Sequence, residues 1–352
     1  MPASWNELDS RAISTAKILA ADAVERVGNG HPGAAISLAP AAYALYQHHL
    51  HLDPTDPHWL GRDRFILSSG HSSLTQYLQL YLAGMGVELE DLKALRTEGA
   101  LTPGHPEFGH TPGVELTTGP LGTGLASAVG FAMAERFTHG LLDPDTPHGQ
   151  SIFDHCVYVI AGDGCLQEGV SAEASSLAGT QKLGNLIVLW DDNRISIEGD
   201  TDIAFSEDVL KRYESYGWHI QRVDWLNEDG SYVEDVQGLD KALDAARDNT
   251  DQPSIIALQT IIGWPTPEKS NTGGIHGAKL GEDALRGLKL ALGADPDAHF
   301  AVDEEAVAHS RKQFAQRAQV LRDHWNQRFE QWRKANPDRA ALLERLRQGG
   351  LP

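Results

Sequence analysis

The sequence is poor in cysteine and in long apolar runs. Its 352 residues include only two cysteines, Cys156 and Cys165, which are too few for a disulfide framework and favour a reducing compartment. No basic start followed by an apolar run marks a signal peptide. The longest apolar stretches, such as Leu186–Trp190, are far shorter than the roughly 20 residues of a membrane-spanning helix. We therefore expect a cytoplasmic protein that does not cross a membrane.

Positive charge is also scarce. The chain has 29 Lys+Arg against 49 Asp+Glu, which gives a formal net charge of -20 at pH 7. This excess of negative charge argues against nucleic acid or an anionic membrane as the main partner. Any anionic substrate would meet an opposing field, so we expect a local cluster of cationic or neutral donors where it binds. The hydrophobic share of 41% is ample for a folded core.

Apolar periodicity divides the chain into a helical first third and an alternating middle. In the first third apolar residues recur at helical spacing, which predicts helices at about Leu8–Val27, Ile36–Gln47, Ser72–Ala83 and Leu121–Phe137. Later β-branched and apolar runs predict strands at Val157–Ala161, Asn185–Trp190, His219–Val223 and Ser254–Thr260. Helical segments separate these runs, near Ser171–Lys182, Asp208–Tyr216 and Gly238–Arg247. The alternation predicts an α/β fold with a parallel sheet flanked by helices.

The predicted sheet indicates where to look for chemistry. Ligands of open parallel sheets bind beyond the carboxyl ends of the strands, so we expect a site just after Ala161, Trp190 and Thr260. From about Val302 the chain is polar and helix-favouring, without further strand signal. We expect residues 302–352 to form a helical linker that leads to another part of a longer protein.

Two acidic motifs follow neighbouring predicted strands. Asp163 lies in Ala161-Gly-Asp-Gly164, and Asn193 ends an Asp-Asp-Asn triplet after the next strand. A Gly-Asp-Gly alone is more often a tight turn than a binding site. Together, however, an Asp carboxylate, an Asn amide and a backbone carbonyl suit an octahedral Mg²⁺ or Ca²⁺ completed by phosphate oxygens and water. The glycines would let backbone N–H groups approach a diphosphate.

Four of the 16 histidines lie in loops rich in glycine and proline. They are His31 in Gly-His-Pro-Gly, His71 in Ser-Gly-His, His105 in Pro-Gly-His-Pro, and His276 in Gly-Ile-His-Gly. Any one of them could be an exposed loop histidine without a function. Imidazole titrates near neutral pH, so an orientable histidine can also move protons between hydroxyl and carbonyl groups or donate to phosphate. The run His48, His49 and His51 matches no motif, and we interpret it as solvated surface.

The longer sequence around the acidic motifs resembles the transketolase family. The stretches Gly162–Gly179, with its Gln-Glu-Gly continuation, and Asp191–Gly199 are close to the pattern of that family. The resemblance implies the thiamine diphosphate-binding fold, with residues 1–301 as the diphosphate-binding domain. It covers nearly the whole chain but only the first half of a typical transketolase. The pyrimidine-binding and C-terminal domains are therefore expected to be absent.

The resemblance also implies a cofactor site for thiamine diphosphate and Mg²⁺ or Ca²⁺. Asp163 and Asn193 would supply side-chain oxygens to the metal, and Ile195 its main-chain carbonyl. Gly164 would contact the diphosphate. Ile197 lies two residues after Ile195, and two interpretations stay open for it: ordinary core, or packing against the thiazolium ring.

Further residues receive roles from the same resemblance. Gly119 and Leu121 belong to the run Thr117–Gly124, whose backbone would contact the cofactor's aminopyrimidine and diphosphate. A glycine-rich helix start chosen for close packing is compatible with that role. Glu168 and Glu173 would lie at a dimer interface that links two active sites, although acidic residues near a helix start are also common dipole partners.

The loop histidines would line the cofactor and the channel for the donor sugar. His105 would bind the donor's terminal hydroxyl next to the carbonyl. His31 and His276 would face the hydroxyl that loses its proton when the carbon–carbon bond breaks, and His276 would also contact the cofactor. His71 would lie near the diphosphate.

The activity implied is transfer of a two-carbon ketol unit from a ketose phosphate to an aldose phosphate in the pentose phosphate pathway, by a homodimer. The glutamate that activates the cofactor's aminopyrimidine belongs to the half that is not in this sequence. The chain would therefore act with a pyrimidine-binding half, supplied by a longer chain or a separate subunit. Two alternatives stay open: a thiamine diphosphate- and metal-binding protein without turnover, and an α-type subunit of a two-chain thiamine enzyme such as a 2-oxoacid dehydrogenase.

Overall fold

The computed structural model describes residues 5–197 and 199–351. Its centre is a five-stranded parallel sheet with the strand order β1-β2-β3-β5-β4. The strands are β1 (Arg64–Leu67), β2 (Val157–Gly162), β3 (Leu186–Asp192), β4 (His219–Asp224) and β5 (Ser254–Gln259). The α/β fold with a parallel sheet is confirmed. Strand β1 was not predicted, because its four residues are too few to show a period.

Helices precede, connect and follow the strands. The α-helices are α1 (Glu7–Val27), α2 (Pro32–Ser37), α3 (Ala39–Ala44), α4 (Leu74–Ala83), α5 (Leu89–Lys93), α6 (Thr123–Leu142), α7 (Asp163–Gln167), α8 (Gly169–Thr180), α9 (Val209–Ser215), α10 (Val236–Asp248), α11 (Glu282–Ala291), α12 (Glu304–Ala335) and α13 (Pro337–Arg347). The helix predicted over 36–47 is divided into α2, α3 and a π-helical turn at Leu45–His49. Pro40 lies in the first turn of α3, where its missing N–H is tolerated, so α3 begins as a separate helix.

Side chains alternate between the two faces of the central strands. In β2, Tyr158 and Ile160 point into a core that includes α1, α4 and α10, whereas Val157 and Val159 point into a second core with α6 and α8. Strand side chains have a period of two, and both faces are covered by helices. This explains why the central strands are continuous apolar runs.

The register of the sheet brings the acidic motifs together. Gly162 pairs with Asp191, and Asp192 pairs with Gln259, so β2, β3 and β5 end at nearly the same level. The residues that follow these strands therefore share one edge of the sheet, which we call the carboxyl edge. The opposite edge, where the strands begin, is the amino edge.

The C-terminal segment is helical, as predicted, and it packs on the α/β body. Helix α12 contacts α1 and α4, and it buries Phe314 in the same core. Ser310 lies 2.9 Å from the Tyr43 hydroxyl, and Arg11 forms an ion pair with Asp303, the N-cap of α12. Farther along, Trp332 packs edge-to-face against Phe153. The C-terminal helices are thus held by extensive contacts with the preceding body.

The interpretation of His48, His49 and His51 as solvated surface was wrong. His48 and His49 are almost fully buried, and both contact the Asp240 carboxylate on α10, at 3.2 and 2.9 Å. His51 is partly exposed and lies 3.2 Å from Arg247. The carboxylate partner belongs to a helix far along the chain, so the local sequence could not show that these imidazole rings have a hydrogen-bond partner in the protein interior. No described helix is long and apolar enough to span a membrane.

Candidate active site

A cavity of about 230 Å³ opens at the carboxyl edge of the sheet. It brings together all the residues predicted to serve the cofactor, the metal and the donor sugar. They are His31, His71, His105, Gly119, Leu121, Asp163, Gly164, Asn193, Ile195 and His276. These residues come from seven separate loops or helix starts, so only the tertiary structure makes them neighbours.

Asp163 begins helix α7 directly after β2, and its carboxylate is held from two directions. Oδ1 accepts a hydrogen bond from the Trp190 indole at 2.8 Å, and Oδ2 accepts one from the backbone N–H of Arg194 at 2.9 Å. Arg194 has a φ of 57°, a left-handed conformation uncommon for a side-chain-bearing residue. The bend after β3 therefore directs this backbone N–H at the carboxylate.

The electrostatics around Asp163 favour a bound cation. Burial, followed by the negative charge of Asp191, raises the pKa of the Asp163 carboxyl to about 8. Among the described residues, no lysine or arginine side chain forms an ion pair with Asp163. A buried carboxylate with acidic neighbours is costly unless a positive charge compensates it. A divalent metal would provide that charge.

Asn193 is oriented by its neighbours so that its amide oxygen faces the loop. Its Nδ2 donates to Asp191 Oδ2 at 2.8 Å, and its Oδ1 accepts from the Ile195 N–H at 2.9 Å. Asp191 is in turn held by the Thr260 hydroxyl at 2.6 Å. Sequence reasoning missed these positioning roles of Asp191 and Thr260, since the two residues are distant in the chain and neither belongs to the expected ligand set.

Glycines let the cavity walls approach one another closely. A Cβ at Gly164 would lie 2.8 Å from the Leu121 side chain, and one at Gly70 would lie 2.6 Å from Thr118 Oγ1. A real Cβ at either position would force the neighbouring atoms to move, because both distances are shorter than a van der Waals contact. Gly164 also lines the cavity, so its main chain can approach a diphosphate closely, as expected for a phosphate-binding loop.

Three of the loop histidines form a cluster of rings. The ring centroids of His31 and His71 are 4.9 Å apart, those of His71 and His276 are 5.0 Å apart, and those of His31 and His276 are 5.6 Å apart. Burial lowers the pKa of His31 to about 4 and that of His71 to about 3, and it also lowers the pKa of His276 and His105. The rings are therefore neutral near pH 7.

One buried nitrogen of the histidine cluster is available to a ligand. His31 Nδ1 is buried and has no hydrogen-bond partner among residues 5–197 and 199–351. A buried polar atom without a partner costs free energy, and native structures rarely leave one unless water or a ligand satisfies it. Arg96 supplies a positive charge nearby, and this charge helps to lower the pKa of His31 and His105. Arg96 was not predicted, because it lies outside the recognised motifs.

The family profile described as "Transketolase, thiamine diphosphate binding domain" matches residues 8–352.

The chain belongs to the transketolase family.

Curated relatives and solved structures agree with this assignment. The transketolase of Mycobacterium tuberculosis is 56% identical over 351 residues, which are 100% of this chain and 49% of that protein. The transketolase of Geobacillus stearothermophilus is 44% identical over 347 residues, 99% of this chain and 50% of that protein. A transketolase structure from Pichia stipitis in complex with sedoheptulose 7-phosphate superposes with a TM-score of 0.90 at 43% identity, over 99% of this chain and 50% of that one. The chain spans about half the length of the curated relatives it matches.

The match confirms the thiamine diphosphate-binding fold and favours transketolase over the α-type subunit of a 2-oxoacid dehydrogenase. The cavity also suits the cofactor chemically. Its oxygen donors match the preference of Mg²⁺ and Ca²⁺, Asp163 needs a compensating charge, and the glycines expose backbone N–H groups. The residues of this transketolase-family chain are therefore compatible with both the diphosphate and its metal.

Three further residues were given other roles or left open by the sequence. Glu168 and Glu173 are exposed on or beside α8, and neither lines the cavity. Their predicted interface role stays a prediction. Ile197 is 70% exposed at the cavity rim, so it is not core, which was one of the two interpretations left open.

Proposed function

We propose that this chain supplies the diphosphate- and metal-binding half of a transketolase, which transfers a two-carbon ketol unit from a ketose phosphate to an aldose phosphate. The observation that carries the proposal is the convergence of ten predicted residues on one cavity at the carboxyl edge. Residues 1–301 would form the diphosphate-binding domain and residues 302–352 the linker to the pyrimidine-binding half. The pentose phosphate pathway and the cytoplasm are the corresponding metabolic and cellular settings.

The metal would be Mg²⁺ or Ca²⁺. Asp163 and Asn193 would bind it through side-chain oxygens, and Ile195 through its carbonyl. Support comes from the hydrogen bonds that hold Asp163 and Asn193 in place before any metal binds. A site held in this way loses little conformational entropy on binding. Gly164 and His71 would contact the diphosphate, and the backbone of the run that holds Gly119 and Leu121 would contact the aminopyrimidine and diphosphate.

Thiamine diphosphate supplies, when bound, the nucleophilic carbon and the electron sink for breaking and forming the carbon–carbon bond. The residues of this chain would handle the sugar and its protons. His105 would donate to the donor's terminal hydroxyl next to the carbonyl. His31 and His276 would accept the proton of the hydroxyl at the bond that breaks. Their low pKa values keep these rings neutral, so each has a lone pair available as a base.

A second subunit is also part of the proposal. Helices α6 and α8 pack together and expose several large apolar side chains, namely Met133, Phe137, Val170 and Leu177. Exposed apolar groups on neighbouring helices are typical of an interface surface. Glu168 and Glu173 lie on or beside α8 and would link the two active sites of a homodimer.

The test is ketol transfer from xylulose 5-phosphate to ribose 5-phosphate with thiamine diphosphate and Mg²⁺. The chain is assayed alone and together with the pyrimidine-binding half of a relative. We expect activity only in the combined system. Full activity of the chain alone would contradict the need for a second half. If the combined system binds cofactor but shows no turnover, the alternative of a binding protein without catalysis is favoured.

A further inference from the structure

A second group of histidines and carboxylates lies at the amino edge of the sheet, away from the cavity described above. His139 is on the last turn of α6, and His148 and Asp154 are on the loop that leads into β2. One ligand atom from each of these three side chains lies within 4.8 Å of the others. His148 and Asp154 also line a cavity of about 510 Å³ between this edge and α12, so solvent can reach the group.

Both ring nitrogens of His139 are oriented by oxygen atoms of the loop before β2. His139 Nε2 lies 2.8 Å from the Thr146 carbonyl oxygen, which can only accept, so Nε2 carries a proton. In a neutral ring Nδ1 then has a lone pair, and this atom faces Asp154 Oδ1 at 2.5 Å. At that separation a proton lies between the two atoms, since a Zn²⁺ ion about 2.0–2.2 Å from each of them would need the atoms roughly 3 Å or more apart. Zn²⁺ binding would therefore displace this proton, as metal binding to histidine and carboxylate ligands generally does, and the two side chains would move slightly apart.

Hydrogen bonds from neighbouring groups orient the side chains of His139 and Asp154. Asp154 Oδ2 accepts from the Ser151 N–H at 2.9 Å, and the Thr146 carbonyl fixes the His139 ring. Glu135 is one helical turn before His139, lies beside Asp154, and accepts from Asn185 Nδ2 at 2.8 Å. Ligands of metal sites commonly have such outer partners, above all a carbonyl that receives the second N–H of a histidine.

We propose that His139, His148 and Asp154 bind Zn²⁺, with water completing the coordination. Two imidazoles and a carboxylate are a ligand set that suits Zn²⁺ and other late divalent transition metals. The set differs from that of Asp163 and Asn193, where only oxygen ligands suit Mg²⁺ or Ca²⁺. The Zn²⁺ ion would tie the end of α6 to the loop before β2. This inference does not depend on the proposed transketolase activity.

The test is calorimetric titration of the metal-stripped full chain with Zn²⁺. The comparison is made between the unchanged protein, His148→Ala and the control His324→Ala. His148 is exposed, so its loss should leave the fold intact. His324 lines the same cavity but lies outside the group of ligands. Loss of an outer partner typically costs about 10–100-fold in metal affinity, so loss of a ligand should weaken Zn²⁺ binding by at least that factor.

Two further measurements test whether the variants are folded and whether Zn²⁺ binds at the amino edge. Thermal unfolding without metal should give the same midpoint for all three proteins, which shows that His148→Ala is folded. The titration is repeated with Asp163→Asn, which should keep the Zn²⁺ site at the amino edge. The proposal is overturned if the unchanged protein binds no Zn²⁺, if His148→Ala binds it equally tightly, or if Asp163→Asn removes all binding. The first result would leave a shared proton between His139 and Asp154.

Discussion

The two edges of the sheet use histidine in opposite ways. At the carboxyl edge His31, His71 and His276 pack against one another, and none of these rings forms an ion pair with a carboxylate in the described part of the chain. At the amino edge His139 contacts Asp154 directly. An imidazole without a fixed hydrogen-bond partner can bind a substrate. An imidazole that is paired with a carboxylate instead has a structural or metal-binding role. The contrast agrees with the two proposals, catalysis at the carboxyl edge and metal binding at the amino edge.

The largest effect is expected from Asp163→Ala at the carboxyl edge. The change removes a metal ligand, so the affinity for thiamine diphosphate with Mg²⁺ should fall by about 100-fold or more, and ketol transfer in the combined system should disappear. Cofactor binding can be followed by calorimetry. Asp248→Asn, at the rim of the amino-edge cavity, is the control and should bind normally. Equal losses of cofactor affinity in Asp163→Ala and Asp248→Asn would contradict the placement of the cofactor at the carboxyl edge.

His105→Ala should reduce turnover without removing the cofactor. A positioned acid–base or hydrogen-bonding group typically contributes about 10²–10⁴-fold, so kcat/KM for the donor should fall by that range. The affinity for thiamine diphosphate should stay unchanged, because the metal ligands are intact. His324→Ala at the amino edge should keep full turnover. A cofactor affinity that falls together with turnover would show that His105 supports the cofactor instead of the donor.

Thr260→Val and Ser151→Ala compare two buried hydrogen bonds, one at each edge. Thr260 donates to Asp191 at 2.6 Å, and Ser151 donates to Asp143 at 2.6 Å. Each change leaves a buried carboxylate short of a partner, so each should lower the free energy of unfolding by about 1–3 kcal/mol in urea titrations. Only Thr260→Val should also weaken Mg²⁺-dependent cofactor binding, because Asp191 positions Asn193. Similar cofactor binding in the two variants would contradict that role.

The smallest effect, within about one pH unit of neutrality, is a dependence of stability on pH that both edges share. Burial lowers the pKa of His71 at the carboxyl edge and of His155 at the amino edge to about 3, from the ordinary value of 6.5. Between these values the unfolded chain binds more protons than the folded one. The free energy of unfolding should therefore fall as the pH drops below 6.5. In urea titrations, His71→Asn and His155→Asn should each reduce the change of unfolding free energy with pH. An unchanged pH dependence in both variants would contradict the lowered pKa of these two histidines.

Much of the fold was predictable because its signals are local. Strands β2 to β5 were predicted to within one or two residues, since their apolar runs are bounded by turns and helices. Strand β1 was missed because it is short. The helix at the C terminus was predicted from composition, but its packing on α1 and α4 was not, because a polar sequence does not show which of its faces is buried.

The candidate site was predictable where its residues sit in motifs. Asp163 and Asn193 directly follow strands, so the parallel sheet was enough to place them together. The support from Trp190 and Thr260 was not visible, since it depends on contacts across the sheet. The burial of His48 and His49 was missed for a similar reason, because their partner Asp240 lies on a remote helix.

The alternation of strands and helices from β2 onward, the Gly-Asp-Gly turn and the loops that carry the histidines could be predicted because they depend on residues close in the chain. The tertiary structure decided which of the histidines meet, which carboxylates lose their solvent, and which rings are neutral. These properties depend on burial and on distances between residues that are far apart in sequence. The same holds for His139, His148 and Asp154, which are neighbours because the loop before β2 packs against the end of α6.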